Sequence, residues 1–194
     1  MKPVFKHYST FYSEEESVLE GEPHWIDGNL YSNRTSIGQA FRRVSRYCGF
    51  DEIEAGKTMG LSAYGSGEIN LFNEEYGHSL CSTQLRPEGN TTAYVGPKLQ
   101  PKDLAYNLQK SAERHAIFMI KKAVDLTNKK NVCVSGGFFL NCVSNYSILK
   151  NIDVNLYVDP IAYDGGIAIG SALLEYYEHF CDNPRPNRIS TVLA

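Results

Sequence analysis

Between Pro101 and Val124 the apolar positions Leu104, Leu108, Ala112, Ala116, Met119, Ile120, Ala123 and Val124 recur at helical spacing. This predicts a helix of about six turns, opened by a proline that suits a first helical position. A polar turn follows at 128–131. Val132-Cys133-Val134 then predicts a strand of the buried type, running straight into Ser135-Gly136-Gly137. A helix is expected from about Leu140 to Leu149, and a strand from Val154 to Val158 that Asp159-Pro160 ends. After Asp164-Gly165-Gly166 a last helix should run to about Phe180. Helix, strand, glycine turn, helix, strand, glycine turn, helix is an α/β order with at least two parallel strands.

Val18 to Ser32 predicts a hairpin around Asp27-Gly28, a dipeptide suited to a tight turn. Ser36 is placed to cap a helix reaching about Tyr47, with Ile37, Ala40, Phe41 and Val44 on one face and Gly49 ending it. A second short helical stretch begins at Asp51 and is expected to break at Gly56 and Gly60. Residues from about 65 to 100 are rich in Gly, Asn, Ser and Thr and predict an irregular insertion or a small sheet. The chain reads as one domain over 1–182, with 183–194 as a tail or linker.

Composition adds mainly exclusions. The 194 residues are 42% apolar and 21% charged, with a net charge of −3, so nothing favours nucleic acid or an acidic membrane surface. No run of about 18 apolar residues exists to span a bilayer. The polar, then acidic, first 16 residues do not resemble a secretory signal, which points to the cytoplasm. Cys48, Cys81, Cys133, Cys142 and Cys181 are odd in number and form no CxxC pair, arguing against a zinc knuckle or a disulfide framework. Cys133 and Cys142 lie among apolar and small residues and are expected to be buried thiols. None of the five histidines forms an HxxxH or HExxH pair, and His115 falls at the margin of the long helix's apolar face.

Three clusters carry candidate chemistry. Ser135-Gly136-Gly137 stands where a strand stops and a helix starts. Glycines there allow a ligand to approach the backbone, and free N–H groups favour an anion. Asn141 is expected one turn into the helix, in reach of a base or ribose. A turn that touches nothing explains the same residues. Asp164-Gly165-Gly166 is a second such turn, in which Asp164 either caps the last helix or holds a metal ion or a ligand hydroxyl. Two such turns after successive parallel strands match the usual ligand position in open α/β sheets. The third cluster is Glu54 to Leu61. Its Gly56-Lys57-Thr58 is not a phosphate loop, because Asp51 stands where GxxxxGK[ST] needs glycine and no strand precedes it. Lys57 serves either as a point charge for a phosphate or as a solvated surface lysine.

With these clusters in place, the chain resembles a known family. Glu54-Ala-Gly-Lys-Thr-Met-Gly-Leu-Ser-Ala-Tyr-Gly65 is similar to the EGKvMGLApYG segment of the carbamoyltransferase family that includes nodulation-factor and antibiotic O-carbamoyltransferases. Val134 to Asn145 is similar to its aGGvaLNcvaN loop, and Asp159 to Leu173 to its P…gDaGtAiGaAl ending. The three segments occur in the family's order.

The resemblance implies an actin-like (ribonuclease-H-like) half-domain with a mixed sheet flanked by helices, related to the tRNA threonylcarbamoyl-transfer proteins. It implies ATP-dependent O-carbamoyl transfer. In the family, a separate C-terminal domain makes carbamoyl-adenylate from carbamoyl phosphate and ATP. The actin-like domain then passes the carbamoyl group to the hydroxyl of a small molecule or sugar, beside a divalent metal, usually iron as Fe2+. Carried over, Ser135, Gly136, Gly137 and Asn141 hold the adenylate, and Gly165 and Gly166 approach its phosphate. Asp164 is a metal ligand, and Glu54 and Lys57 line the acceptor or nucleotide side. The family's histidine-rich metal motif would precede Met1 and its adenylate-forming domain would follow the chain, so a fragment or split subunit is expected. Tyr163 stands where the family commonly has a small residue or histidine. Two other readings stay open: a non-catalytic nucleotide-binding or assembly module, and threonylcarbamoyl transfer to tRNA. The net charge of −3 speaks against the second.

Overall fold

A computed structural model describes residues 7–9, 24–26, 29–32, 37–71 and 99–179. The first strands are β1 (His7–Ser9), β2 (His24–Ile26) and β3 (Asn29–Ser32). They form a mixed sheet in the order β1-β3-β2, with β1 parallel and β2 antiparallel to β3. Ile26 pairs with Asn29, so β2 and β3 are the arms expected around Asp27-Gly28. The turn itself, the stretch before His24, the cap at Ser36, most of the 65–100 insertion and the tail all lie outside the described residues.

Helix α1 (Ile37–Tyr47) buries Ala40, Phe41 and Val44, the face its spacing predicted. Gly49, at φ +84°, follows its end. Helix α2 spans Ala55–Leu61 and continues into a 3₁₀ turn at Ser62–Tyr64. The expected breaks at Gly56 and Gly60 do not occur. Both glycines sit inside α2 with open space around them. Their poor helix propensity, about 1 kcal/mol each, is opposed by packing: Thr58 is fully buried and its hydroxyl shares a 2.7 Å hydrogen bond with Ser45 on α1.

Helix α3 (Pro101–Thr127) is the spine. It starts at Pro101 as predicted and stops at Asn128, whose left-handed φ of 52° lets its N–H close on the Val124 carbonyl. Its apolar stripe serves two cores. Leu104, Leu108 and Ala112 pack with α1 and with Leu71. Ala116 and Ile120 pack with Ile148 and with Val132, Val134, Val154 and Leu156 of the second sheet's neighbourhood. Ala123, expected on the same face, is exposed, while its neighbour Val124 still packs against the second core.

That second sheet pairs β4 (Asn131–Val134) with β5 (Asn155–Val158) in parallel, Val134 opposite Val158. Between them run a 3₁₀ turn (Gly137–Leu140) and α4 (Cys142–Asn151), and α5 (Gly166–His179) closes the described chain. This is the α/β arrangement expected, with a small parallel sheet against helices. The buried-strand expectation for 132–134 is corrected. Val132 and Val134 face the core, while Cys133 is exposed, as is Cys142 at the start of α4. Only the face toward α3 and α4 is covered among the described residues. Helix α5 likewise buries no residue, leaving Ile167, Leu174 and Tyr177 exposed.

Candidate functional site

Because β4 and β5 are parallel neighbours, both glycine turns leave the sheet at the same end, beyond the strands' carboxyl termini. The backbones stay joined just past the strands, where the Asp159 N–H donates to the Val134 carbonyl at 3.2 Å.

In the first turn Gly136 adopts φ +105°, a conformation open to glycine and costly for side-chain-bearing residues. A Cβ on either Gly136 or Gly137 would meet no atom of the described residues within 4 Å. Crowding by the protein therefore does not require glycine at Gly137, and the backbone there lies open to an approaching group. The turn is fastened from behind. Phe138 packs into both cores and meets Phe139 edge-on at 5.2 Å. The Asn145 side-chain amide donates to the Phe139 carbonyl at 2.7 Å.

Asn141 is not one turn inside a helix, as expected, but its N-cap. The 3₁₀ turn uses 137–140, so α4 begins only at Cys142. The Asn141 Oδ1 accepts the Ser144 N–H at 3.0 Å, and its Nδ2 donates to Gln109 Oε1 at 2.8 Å. Gln109 is buried on α3, and its Nε2 lies 3.1 Å from Ser144 Oγ and 3.2 Å from Glu113 Oε1. Glu113 is also buried and accepts from Lys110 at 2.9 Å. Gln109 and Glu113 were missed from sequence. Their signal was a polar pair one turn apart beside the Leu104-Leu108-Ala112-Ala116 stripe, a place where surface residues are not expected.

The second turn is built differently. A Cβ on Gly166 would come within 2.5 Å of the Ile161 carbonyl oxygen, so glycine is required there by close backbone approach. At Gly165 the nearest atoms are those of the Tyr163 ring, itself exposed. Asp164 is exposed, and its carboxylate makes no hydrogen bond or ion pair among the described residues. It does not cap α5 through its side chain; its carbonyl accepts the Ile167 N–H at 3.1 Å.

Glu54 and Lys57 lie on α2 and its approach, away from the sheet end in sequence and bonded to each other. The Lys57 ammonium first, and then the Asp51 N–H, hold the Glu54 carboxyl below its usual range. No hydrogen bond or ion pair joins this pair to either glycine turn among the described residues. Helix α2 packs on α1 and α3, and α3 also packs against α4 behind the first glycine turn.

Among the described residues no three His, Cys, Asp or Glu side chains converge as a metal site. Asp164 alone does not make one. No described helix is long and apolar enough to cross a membrane.

The sequence is similar to the nodulation protein NolNO of Sinorhizobium fredii, 28% identical over 153 residues, covering 72% of this chain and 22% of that protein. It is similar to the nodulation protein NolO of Bradyrhizobium diazoefficiens, 26% identical over 158 residues, 74% of this chain and 29% of that protein. An uncharacterized protein of Synechocystis, sll1178, is 24% identical over 211 residues, 86% of this chain and 34% of its own length. The chain thus spans between a fifth and about a third of the curated relatives it matches. The family described as carbamoyltransferase N-terminus matches residues 7–173, taking in both glycine turns and the Glu54–Gly65 segment. The chain belongs to the carbamoyltransferase N-terminal family.

Proposed function

We propose that this chain is the nucleotide-cradling part of an ATP-dependent O-carbamoyltransferase. It would hold carbamoyl-adenylate, formed from carbamoyl phosphate and ATP, while a hydroxyl of a small molecule or sugar takes the carbamoyl group. The observation that carries this reading is the pairing of the two glycine turns at one end of parallel strands β4 and β5, inside a match to the carbamoyltransferase N-terminal family.

In the proposed reaction the acceptor oxygen attacks the carbamoyl carbon and loses its proton. A new carbon–oxygen bond forms, the bond from that carbon to the phosphate oxygen breaks, and AMP leaves. The backbone at Ser135, Gly136 and Gly137 would receive the adenylate's oxygens. Asn141 would contribute an amide N–H, and Gly165 and Gly166 would border the phosphate. Asp164, without a side-chain partner among the described residues, is available to accept from a ligand hydroxyl or to join a metal such as Fe2+ completed by ligands from outside the described residues. Glu54 and Lys57 would border the acceptor side. The chain's contribution is chiefly positioning.

The exposed apolar side chains of α5 and the exposed face of β4 and β5 support a chain that works against further polypeptide, as a fragment or split subunit would. The same surface would serve a non-catalytic assembly module. Calorimetric titration with ADP, and with a non-hydrolysable carbamoyl-adenylate mimic with and without ferrous iron, tests the reading. Micromolar binding, about −8 kcal/mol, that vanishes in Gly136→Val supports it. A folded protein that binds neither ligand, even with its neighbouring domains present, would discard it in favour of the assembly module.

A further inference from the structure

We propose that Gln109 and Glu113 are positioning residues that set the orientation of the Asn141 amide at the first glycine turn. The inference rests on the nucleotide reading of that turn and adds residues that no motif there contains.

A side-chain amide can sit either way round, and which way is fixed by its partners. At Asn141 the oxygen must face Ser144, because a backbone N–H at the start of α4 requires an acceptor. The nitrogen then faces Gln109 Oε1 at 2.8 Å. That contact is favourable only if Gln109 is also the right way round. Glu113 enforces this. Its buried carboxylate only accepts, so it draws Nε2 of Gln109 toward itself at 3.2 Å; Nε2 also lies 3.3 Å from Asn141 Oδ1, and Oε1 is left to accept from Asn141 Nδ2. Ser144 Oγ, fully buried and 3.1 Å from the same Nε2, accommodates this orientation, although a hydroxyl can donate or accept and does not itself select it. Lys110 donates to the second carboxylate oxygen at 2.9 Å.

The relay therefore runs from a buried carboxylate on α3, through one amide, to a second amide beside Gly136 and Gly137. Of the two N–H bonds of Asn141 Nδ2, one is committed to Gln109 and the other remains for an acceptor outside the relay. With the half-buried Asn141 at the turn's end, that N–H is suited to an oxygen or ring nitrogen of a nucleotide.

The test uses the whole chain in solution, with ADP as the probe. Glu113→Gln keeps volume but leaves Gln109 without a fixed orientation, and Gln109→Leu removes the relay. Two readouts are followed beside thermal unfolding: ADP affinity, and the NMR signals of the Asn141 side-chain amide. The relay predicts a slowly exchanging Asn141 N–H in the wild type that becomes fast in both variants. It also predicts about tenfold weaker ADP binding in Glu113→Gln, which stays folded. A lower unfolding temperature with unchanged ADP affinity and unchanged amide signals would reduce the cluster to packing and overturn the proposal. If the wild type binds no ADP, the nucleotide reading fails separately. The amide signals then decide alone: faster exchange in Glu113→Gln upholds the relay, and unaltered exchange overturns it.

Discussion

The Oδ1 of Asn107, on helix α3, accepts the backbone N–H of Ile69 at 2.8 Å, joining residues 38 apart in the chain. One helical turn before it, Asp103 accepts from the Ser66 N–H at 2.9 Å, and one turn after it Ser111 accepts from the Leu71 N–H at 2.8 Å. A row of polar side chains on one helix face thus takes the place of a neighbouring strand for the segment that follows the Glu54–Gly65 motif. Asn107 is only 2% exposed, so truncating it would take the acceptor from the half-buried Ile69 N–H. We expect Asn107→Ala to cost about 2 kcal/mol by denaturant unfolding. Gly67, at φ +149°, would place a Cβ 2.4 Å from Asn107 Nδ2, so Gly67→Ala should destabilise as well. Its cost should shrink in the Asn107→Ala background, where the clash is gone. Simple additivity in this double-mutant cycle would mean that the two residues do not interact as described.

The two glycine turns predict opposite behaviours. At Gly137 a methyl group meets nothing within 4 Å, whereas at Gly166 it comes within 2.5 Å of the Ile161 carbonyl oxygen. Gly137→Ala should leave stability within about 0.5 kcal/mol of wild type, and Gly166→Ala should lower it by about 1–3 kcal/mol. If the first turn receives a nucleotide, Gly137→Ala should still weaken ADP binding, by about tenfold. Full affinity in a stable Gly137→Ala protein would move the ligand elsewhere.

Most of the backbone order was legible because its signals are local. Helix α3 announces itself through apolar period and Pro101, and β4, β5 and their glycine turns through short apolar runs with abrupt stops. What failed depended on context. Asn141 was displaced by one turn because a 3₁₀ segment at 137–140 intervenes, and i→i+3 turns carry no apolar period of their own. Cys133 was misread as buried because an apolar strand does not say how many of its faces are covered, and here one is. Gln109 and Glu113 went unnoticed because their role exists only once α4 is folded against α3.

The cysteines supply a direct check on that correction. Cys48 is half-buried at the end of α1, with its thiol 3.4 Å from the Pro101 carbonyl, and burial pushes its pKa up to about 11. At about pH 8 only about a thousandth of it is thiolate, while Cys133 and Cys142 are exposed. Brief iodoacetamide treatment followed by peptide mass spectrometry should find Cys133 and Cys142 labelled at least about tenfold faster than Cys48. Equal labelling would mean that α1 does not shelter Cys48 as the fold requires.

Acid should loosen the protein through specific carboxylates. The hydrogen bond from Arg42, opposed by some desolvation and helped by Arg46 at 2.6 Å, holds the Glu52 carboxyl below its usual range. Lys130 does the same for Asp153. Groups depressed in the folded state stabilise it above their unfolded pKa and lose that contribution as pH falls through the folded one. The unfolding midpoint should therefore be flat near neutrality and drop below about pH 4.5. Glu52→Gln should be less stable than wild type at neutral pH and show a shallower acid-side fall, and added salt should shrink the difference. An unchanged acid slope in Glu52→Gln would remove this cluster from the pH response.

Asp164 offers the sharpest separation of function from fold. Its carboxylate is exposed at the second glycine turn and is bonded to nothing else among the described residues. Structure alone gives no reason for an acid there, since the α5 start uses the Asp164 backbone carbonyl and not its side chain. Asp164→Asn preserves size and should leave the unfolding free energy within about 0.5 kcal/mol of wild type. In an enzyme that carries the rest of its domains, the proposed role predicts at least about a hundredfold loss of carbamoyl transfer. Because the carboxylate is replaced without disturbing a contact, such a loss could not be ascribed to misfolding. Wild-type turnover in Asp164→Asn would take this residue out of the site.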